Sequence, residues 1–295
     1  MKFILELDEQ EKNWWKNTIK SYRDKFIQKP SFYFEKYLSE NNIQKEELKK
    51  DISGSIPIIR EGAWQLYLVD EVILHQKVLA FLTKERDLPI EILNRIVSKK
   101  LLNHDKINIT KENLHKKLAE VVGEYAGAIM PYIYELCLST TQSRRSRAGK
   151  TFEAIIKYLI VDIYGYSFDD QSKIGTNFYK LNNLGKVVDG VIPSKEAYLK
   201  DRSKCQVITM KTTLRERWQE VIEELERTNI PHLYLLTIDE GITKTVLETM
   251  AHKNITLINY DHIKEKFKEL NNIKSYAEFF NTEIPHCVSY WEKQK

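Results

Sequence analysis

The chain has 295 residues, of which 46 are Lys or Arg and 42 are Asp or Glu, so almost a third of it is charged while the formal net charge is only +4. That balance excludes an acidic tail or a polybasic peptide, and with 42% hydrophobic and 11% aromatic residues the chain is neither disordered nor fibrous: it can bury one large core or two modest ones. The longest apolar stretch, Ala154 to Tyr166, is interrupted by Lys157 and Asp162 and falls short of the ~18 apolar residues that a membrane span requires.

Residues 1–135 are expected to form a mainly helical subdomain. Apolar residues recur at helical spacing from Ile58 to Leu82 and from Leu114 to Leu138, and Pro30, Pro57 and Pro89 punctuate the segments. The Lys/Glu-rich piece from Gln44 to Asp51 reads as a solvated helical face. From Ser139 the texture changes. A basic polar stretch, Ser139 to Lys150, is expected to open a helix running through Ile163, followed by strands over Val187–Ile192 and Cys205–Met210. An amphipathic helix is predicted from Thr213 to about Arg227, then a strand His232–Ile238, a helix Ile242–His252, a strand Ile255–Asn259 and a helix beginning near His262. Strands and helices alternating over short connections predict an α/β core over residues 136–295, a buried sheet flanked by helices.

Two general features set the compartment. Cys137, Cys205 and Cys287 are odd in number and lie far apart, which suits neither a disulfide framework nor a zinc knuckle. The N-terminal residues, Met1 to Asn13, turn acidic and polar within a few positions and offer no apolar h-region. A cytoplasmic protein with no membrane association is expected.

Candidate chemistry concentrates in two stretches. Gly149-Lys150-Thr151 has the ending of a phosphate-binding loop, but Arg144 stands where that motif needs its first glycine, so a nucleoside triphosphatase is not expected. Arg144, Arg145, Arg147 and Lys150, crowded at the expected helix start where cations oppose the dipole, point to contact with phosphate rather than to a solvated loop. In the second stretch Asp189 lies within a β-branched run and Lys211 closes the next one, 22 residues later. A carboxylate and a lysine so placed suit a metal-dependent nuclease: the carboxylate holds a hard cation, and the ammonium positions a water and stabilises charge on phosphate.

Such cores commonly carry a second acid two residues before the lysine, and here that residue is Thr209. The missing charge is sought in the following helix, among Glu220, Glu223 and Glu224. Glu223 has an ordinary partner in Arg227, four residues on, so Glu224 is the expected ligand and Glu223 the alternative. Between them lies Arg215-Glu216-Arg217. Thr213 and Glu216 fit a capping box, which leaves the arginines unexplained. Arginines in a first helical turn suit a helix end aimed at DNA, where Arg pairs with guanine and Glu accepts from cytosine N4.

Taken together, Asp189, Lys211, Arg215-Glu216-Arg217 and Glu224 resemble the displaced-glutamate PD-(D/E)XK core of type II restriction endonucleases that cut before CC in CCGG or CCNGG, the group of EcoRII, SsoII and PspGI. Arg144-Arg145-Ser146-Arg147-Ala148-Gly149-Lys150-Thr151-Phe152-Glu153 is similar to that group's Arg-x-x-Arg-Ala-Gly-x-x-Phe-Glu segment. The sequence departs from the pattern at Val188, where proline is usual. The resemblance implies a restriction-endonuclease-like fold with a central mixed sheet, Mg²⁺ on Asp189 and Glu224, and Glu153 near a second metal or its water shell. It further implies that Arg60 and Trp64 sandwich an extruded central base. The implied activity is cleavage of double-stranded DNA at a palindromic CCNGG-containing site, before the first C, leaving a 5′-phosphate. A homodimer matches a palindrome by symmetry, and a separately encoded DNA methyltransferase would protect the host. A CCGG-specific enzyme of the same fold and a catalytically inactive DNA-binding protein are the alternatives.

Overall fold

In the computed structural model the described residues are 7–85 and 111–294, apart from 183, 185–187, 216 and 229. The chain opens with α1 (Glu9–Phe26), α2 (Pro30–Glu40), α3 (Lys45–Lys50), the long α4 (Ile52–Glu85) and the longer α5 (Lys111–Tyr158). Asp8 caps α1 by accepting the Glu11 amide at 2.8 Å, and Arg23 and Lys25 sit in its last turn, where they complement the helix dipole. Pro57 lies inside α4 and does not end a segment.

After a π-type turn, Leu159–Ile163, come β1 (Asp169–Asp170), α6 (Gln171–Ile174), α7 (Thr176–Leu181), β2 (Gly190–Ile192), α8 (Lys195–Lys200) and β3 (Gln206–Lys211). The chain continues through α9 (Arg217–Glu226), β4 (Leu233–Thr237), α10 (Lys244–His252), β5 (Ile255–Asn259), α11 (Asp261–Lys266), β6 (Ile273–Ser275), α12 (Tyr276–Glu278) and α13 (Ile284–Glu292).

Among the described residues the strands form a six-stranded sheet in chain order, β1 to β6. The β1/β2 and β2/β3 pairs are antiparallel, and β3/β4, β4/β5 and β5/β6 are parallel, so the sheet is mixed as expected. Its central strands read Val207-Ile208-Thr209-Met210, Leu233-Tyr234-Leu235-Leu236 and Ile255-Thr256-Leu257-Ile258, and all of these side chains are buried. Continuous apolar runs of this kind belong to parallel strands covered on both faces, with helices supplying the crossovers.

Two compact units emerge from the contacts: residues 1–29 with 65–146, and residues 30–64 with 147–295. None of the three limits coincides with the sequence-expected boundary near residue 135. The first falls between α1 and α2, and the other two lie inside continuous helices, α4 and α5, where no turn marks them. The first unit is helical in its described part, with a core of Trp15, Ile19, Val78, Leu82 and Leu136, and Trp15 Nε1 donates to the Tyr132 carbonyl at 2.9 Å. The second holds the sheet and its flanking helices, and also α2, whose Phe34 ring lies 5.3 Å from that of Tyr158 at the end of α5.

One expected helix start is absent. The stretch Ser139 to Lys150 lies in the interior of α5. Its basic, polar composition suggests a helix start, but Thr141 Oγ1 donates back to the Cys137 carbonyl at 2.9 Å and the helix runs on uninterrupted. The other strands and helices that the sequence predicts in the sheet region fall within a few residues of their expected bounds, with Ile255–Asn259 coinciding; β1, α6, α7, α8, β6, α12 and α13 are not among those expected. No helix among the described residues is long and apolar enough to cross a membrane.

Candidate active site

Asp189 lies one residue before β2, not within it, yet its amide still donates to the Ile208 carbonyl at 2.8 Å. The next residue has to be glycine: a Cβ on Gly190 would stand 2.2 Å from the Phe168 ring. Antiparallel pairing then sets Gly190 opposite Ile208 and brings the Asp189 carboxylate beside the end of β3. Oδ2 accepts the Met210 amide at 2.7 Å and, more weakly, the Thr209 hydroxyl at 3.4 Å, while Lys211 Nζ stands 3.9 Å away. Burial pushes this carboxyl above its ordinary range, against the pull of Lys211 and of the two donors. Thr209, which the sequence marks only as a missing acid, therefore helps orient the acid that is present.

Glu153 approaches from α5. It is half-buried, and its pKa is raised first by that burial and then by the charge of Asp189, with Lys211 and Lys150 opposing. The two carboxylates share a cavity of about 280 Å³ that also includes Lys150, Lys157, Asp170 and Gln171 in its lining. Lys157 is ion-paired with Asp170; burial alone would raise the Asp170 pKa, but this pairing, Ser172 and the Lys173 amide bring it down to about 2. Gln171 Nε2 donates to the Val188 carbonyl at 2.9 Å and reaches Asp189 Oδ1 at 3.4 Å. Nothing in the sequence singles out Gln171, because its role depends on where β1 and α6 are folded.

Two carboxyls raised by burial, with the charge of Asp189 raising Glu153 further and a lysine alongside, are incompletely compensated. Oxygen donors of this type suit a hard divalent cation such as Mg²⁺. Glu224 is half-buried on α9, whereas Glu220 and Glu223 are exposed. The charges acting most on Asp189 and Glu153 are those of Lys211, Lys150 and Asp189 itself, and Glu224 is not among them. No group of three or more His, Cys, Asp or Glu side chains among the described residues could hold a metal.

The predicted helix start at Thr213 is also displaced. α9 begins at Arg217, and its first amides, those of Arg217 and Trp218, donate to the Leu214 carbonyl. Arg215 thus lies in the preceding turn with φ +25°, a conformation that costs a non-glycine residue about 1–3 kcal/mol unless its surroundings impose it. Arg215 and Arg217 are both exposed. Glu216 lies outside the described residues.

The four cations expected on phosphate diverge. Arg144 is engaged within the helical unit: its Nε lies 3.0 Å from both carboxylate oxygens of Glu71, and Nη2 adds a third, shorter bond. Glu71 is 2% exposed and also accepts the Tyr67 hydroxyl at 2.5 Å; burial alone would raise its pKa, but Arg144 and Tyr67 hold it below the ordinary carboxylate range. Arg145 is exposed, Arg147 is half-buried with its guanidinium 5.4 Å from the centre of the Tyr33 ring, and Lys150 is exposed on the rim of the cavity. Arg60 and Trp64 are half-buried on α4. Arg60 is near enough to Tyr260 to moderate a phenol pKa that burial pushes up to about 12.

Comparisons with known proteins converge on one group. The family described as EcoRII C terminal matches residues 107–278, more than half of the chain. The type II restriction enzyme SsoII of Shigella sonnei is 37% identical over 170 residues, which cover 56% of this chain and 55% of that protein. The type II restriction enzyme EcoRII of Escherichia coli is 23% identical over 178 residues, covering 59% and 41%. The matches thus span about half the length of these curated relatives or less. Among solved structures, metal-depleted Ecl18kI in complex with uncleaved, modified DNA is similar with a TM-score of 0.72 and 24% identity, covering 95% of this chain and 85% of that one. A PspGI complex with substrate DNA has a TM-score of 0.59 and 19% identity, covering 89% and 94%. At these identities the two structures speak to the fold, which is that of a restriction-endonuclease core.

Proposed function

Because this chain belongs to the EcoRII C-terminal family, we propose that it is a type II restriction endonuclease that hydrolyses double-stranded DNA at a palindromic CCNGG-containing site, before the first C. The observation that carries this reading is the Asp189, Glu153 and Lys211 cluster beside a cavity, next to the antiparallel β2/β3 pair of the mixed sheet.

Asp189 and Glu224 are the proposed ligands of Mg²⁺, with Glu153 near a second ion or its water shell; the bound ion supplies Lewis-acid polarisation of the phosphate and a more acidic water. Lys211 orients the attacking water and offsets charge that builds on the phosphate oxygens. In-line displacement then leaves a 5′-phosphate. Half-burial of Glu224, in contrast to Glu220 and Glu223, supports choosing it among the helix glutamates.

Arg215, Glu216 and Arg217 are proposed to read the C·G pairs, Arg147, Lys150 and Arg145 to touch phosphate, and Arg60 with Trp64 to receive an extruded central base. Arg144 is proposed as a phosphate residue too, in competition with Glu71. A homodimer is the proposed assembly, and a separately encoded methyltransferase the proposed genetic companion. Exposed apolar residues on helical stripes of the helical unit, Val69, Val72 and Ile73 on α4 and Met130, Tyr134 and Leu138 on α5, offer a face for the second subunit.

The direct test is digestion of plasmid DNA in Mg²⁺ and in EDTA, followed by run-off sequencing of the ends. EDTA-sensitive cuts before the first C of CCNGG are expected. Cuts at CCGG would select the related specificity, and specific binding with no cleavage in Mg²⁺ would identify an inactive binder.

A further inference from the structure

The connection from β3 to α9 starts at Lys211 and must deliver Arg215 and Arg217 in a defined direction. Its pivot is Leu214, whose side chain is 3% exposed. The Leu214 carbonyl accepts the Arg217 amide at 2.5 Å and the Trp218 amide at 3.2 Å, so it forms the first hydrogen bonds of α9. Its own amide donates to Asp239 Oδ2 at 2.6 Å. Both polar backbone groups of residue 214 are therefore committed, immediately before the positive φ of Arg215.

Asp239 is itself braced from several sides at the exit of β4. Its Oδ1 accepts the Gly241 amide at 2.8 Å, its amide donates to Thr237 Oγ1 at 3.1 Å, and its carbonyl accepts from Asn259 Nδ2 at 2.7 Å. Thr237 and Asn259 are fully buried, at 0% exposure, and Asn259 Oδ1 accepts the Tyr260 amide at 2.7 Å. The ends of β4 and β5 thus hold one carboxylate rigidly, and that carboxylate makes a charge-assisted hydrogen bond to the loop.

We infer that Asp239 is a positioning residue for sequence discrimination: by holding the Leu214 amide it sets the direction in which Arg215 and Arg217 leave the loop. The inference rests on the reading of those arginines as base-contacting residues. Asp239 touches neither DNA nor the reacting atoms in this role. It acts on which sequence is bound, not on how strongly DNA in general is held.

The test uses the full chain in Ca²⁺ and two duplex pools, one with CCNGG in randomised flanks and one with the CC and GG steps scrambled. Dissociation constants from gel shifts give a discrimination ratio. Arg215→Ala should lower it. Asp239→Ala should lower the same ratio by roughly tenfold, the scale of one bidentate base contact, with scrambled-pool binding close to that of the parent. Arg215→Ala combined with Asp239→Ala should lose less than the two single losses multiplied together, because both changes spoil the Arg215 contact. Asp239→Asn keeps an acceptor for the Leu214 amide and should recover part of the ratio; it carries the test alone if circular dichroism shows the alanine variant unfolded. Equal losses on both pools, independent losses in the double variant, or an unchanged ratio while Arg215→Ala falls would overturn the inference alone. An unchanged ratio for Arg215→Ala sinks the base-reading role of Arg215 and the inference with it.

Discussion

Met210 donates its backbone N–H to Asp189 Oδ2 at 2.7 Å. Through this bond the carboxylate at the entrance to β2 is fastened to the strand that presents Lys211 one residue later, so the acid and the cation move as one body. Pre-set geometry of this kind is what positioning contributes to catalysis. Asp189→Ala and Lys211→Ala should each lower cleavage at least a hundredfold in Mg²⁺, while Lys211→Ala keeps specific binding in Ca²⁺. Normal digestion by the Lys211 variant would remove this lysine from the mechanism.

Raised pKa values at Asp189 and Glu153 give a pH signature. A carboxyl whose folded pKa exceeds its unfolded value binds more protons when folded, so stability falls as pH rises through that window and is regained as pH drops. A divalent cation needs both groups charged. Thermal unfolding from about pH 4 to about pH 7 should show the metal-free chain gaining relative stability toward the acid end, with Ca²⁺ stabilising it more strongly toward the neutral end. Glu153→Gln should flatten part of that difference. Superimposable curves with EDTA and with Ca²⁺ would count against a metal at this site.

Arg144 and Glu71 predict the opposite slope. The depressed pKa of Glu71 adds stability above its unfolded value that is lost as pH falls through the folded one. Arg144→Ala strands a buried carboxylate and should cost about 2–3 kcal/mol, less than the ~3–5 kcal/mol of a fully buried pair because the Arg144 side chain is half open to water. Burial then raises the Glu71 pKa, so the variant should be least impaired in acid, and adding Glu71→Gln should restore stability. Urea melts at two pH values measure this. A fully stable Arg144→Ala with uniformly weaker binding to all DNA would return Arg144 to a phosphate role.

Base extrusion has a fluorescent readout. With 2-aminopurine at the central position of CCNGG, binding in Ca²⁺ should change its emission, and Trp64→Ala should alter that change and weaken binding by about 1–3 kcal/mol, the scale of one base-aromatic stack. A silent probe together with efficient cutting of CCGG would leave Trp64 a packing residue.

Association should respond to charge on the exposed stripes. Tyr134→Glu combined with Val72→Glu places carboxylates on exposed apolar positions and should yield monomers by sedimentation while the fold persists. A dimer that persists in this variant places the interface on another surface.

The β/α alternation after residue 200 was legible because Val207-Ile208, Leu233 to Leu236 and Ile255 to Ile258, with only Thr256 polar among them, are largely apolar runs, and burial on both faces leaves that signature. The interior of α5 is not legible because a basic, polar stretch from Ser139 to Lys150 has the composition of a helix end, while backward bonding such as that of Thr141 to the Cys137 carbonyl lets polar residues continue a helix. Asp189 and Lys211 could be paired from their spacing. Partners brought in from afar could not be found that way: Gln171 reaches Asp189, Glu71 holds Arg144 and Asp239 holds the Leu214 amide, 18, 73 and 25 positions away, and no local pattern encodes such distances.

The discontinuous second unit also imposes an order on biosynthesis. Residues 30–64 leave the ribosome well before residues 147–295, which share their unit. The Phe34 side of α2 must therefore wait for Tyr158, and at about 5–20 residues per second that delay is on the order of ten seconds. During that interval Phe34 lacks its ring partner, and Tyr33, Phe34 and Leu38, all buried in the folded chain, wait for the part of their unit still to be made.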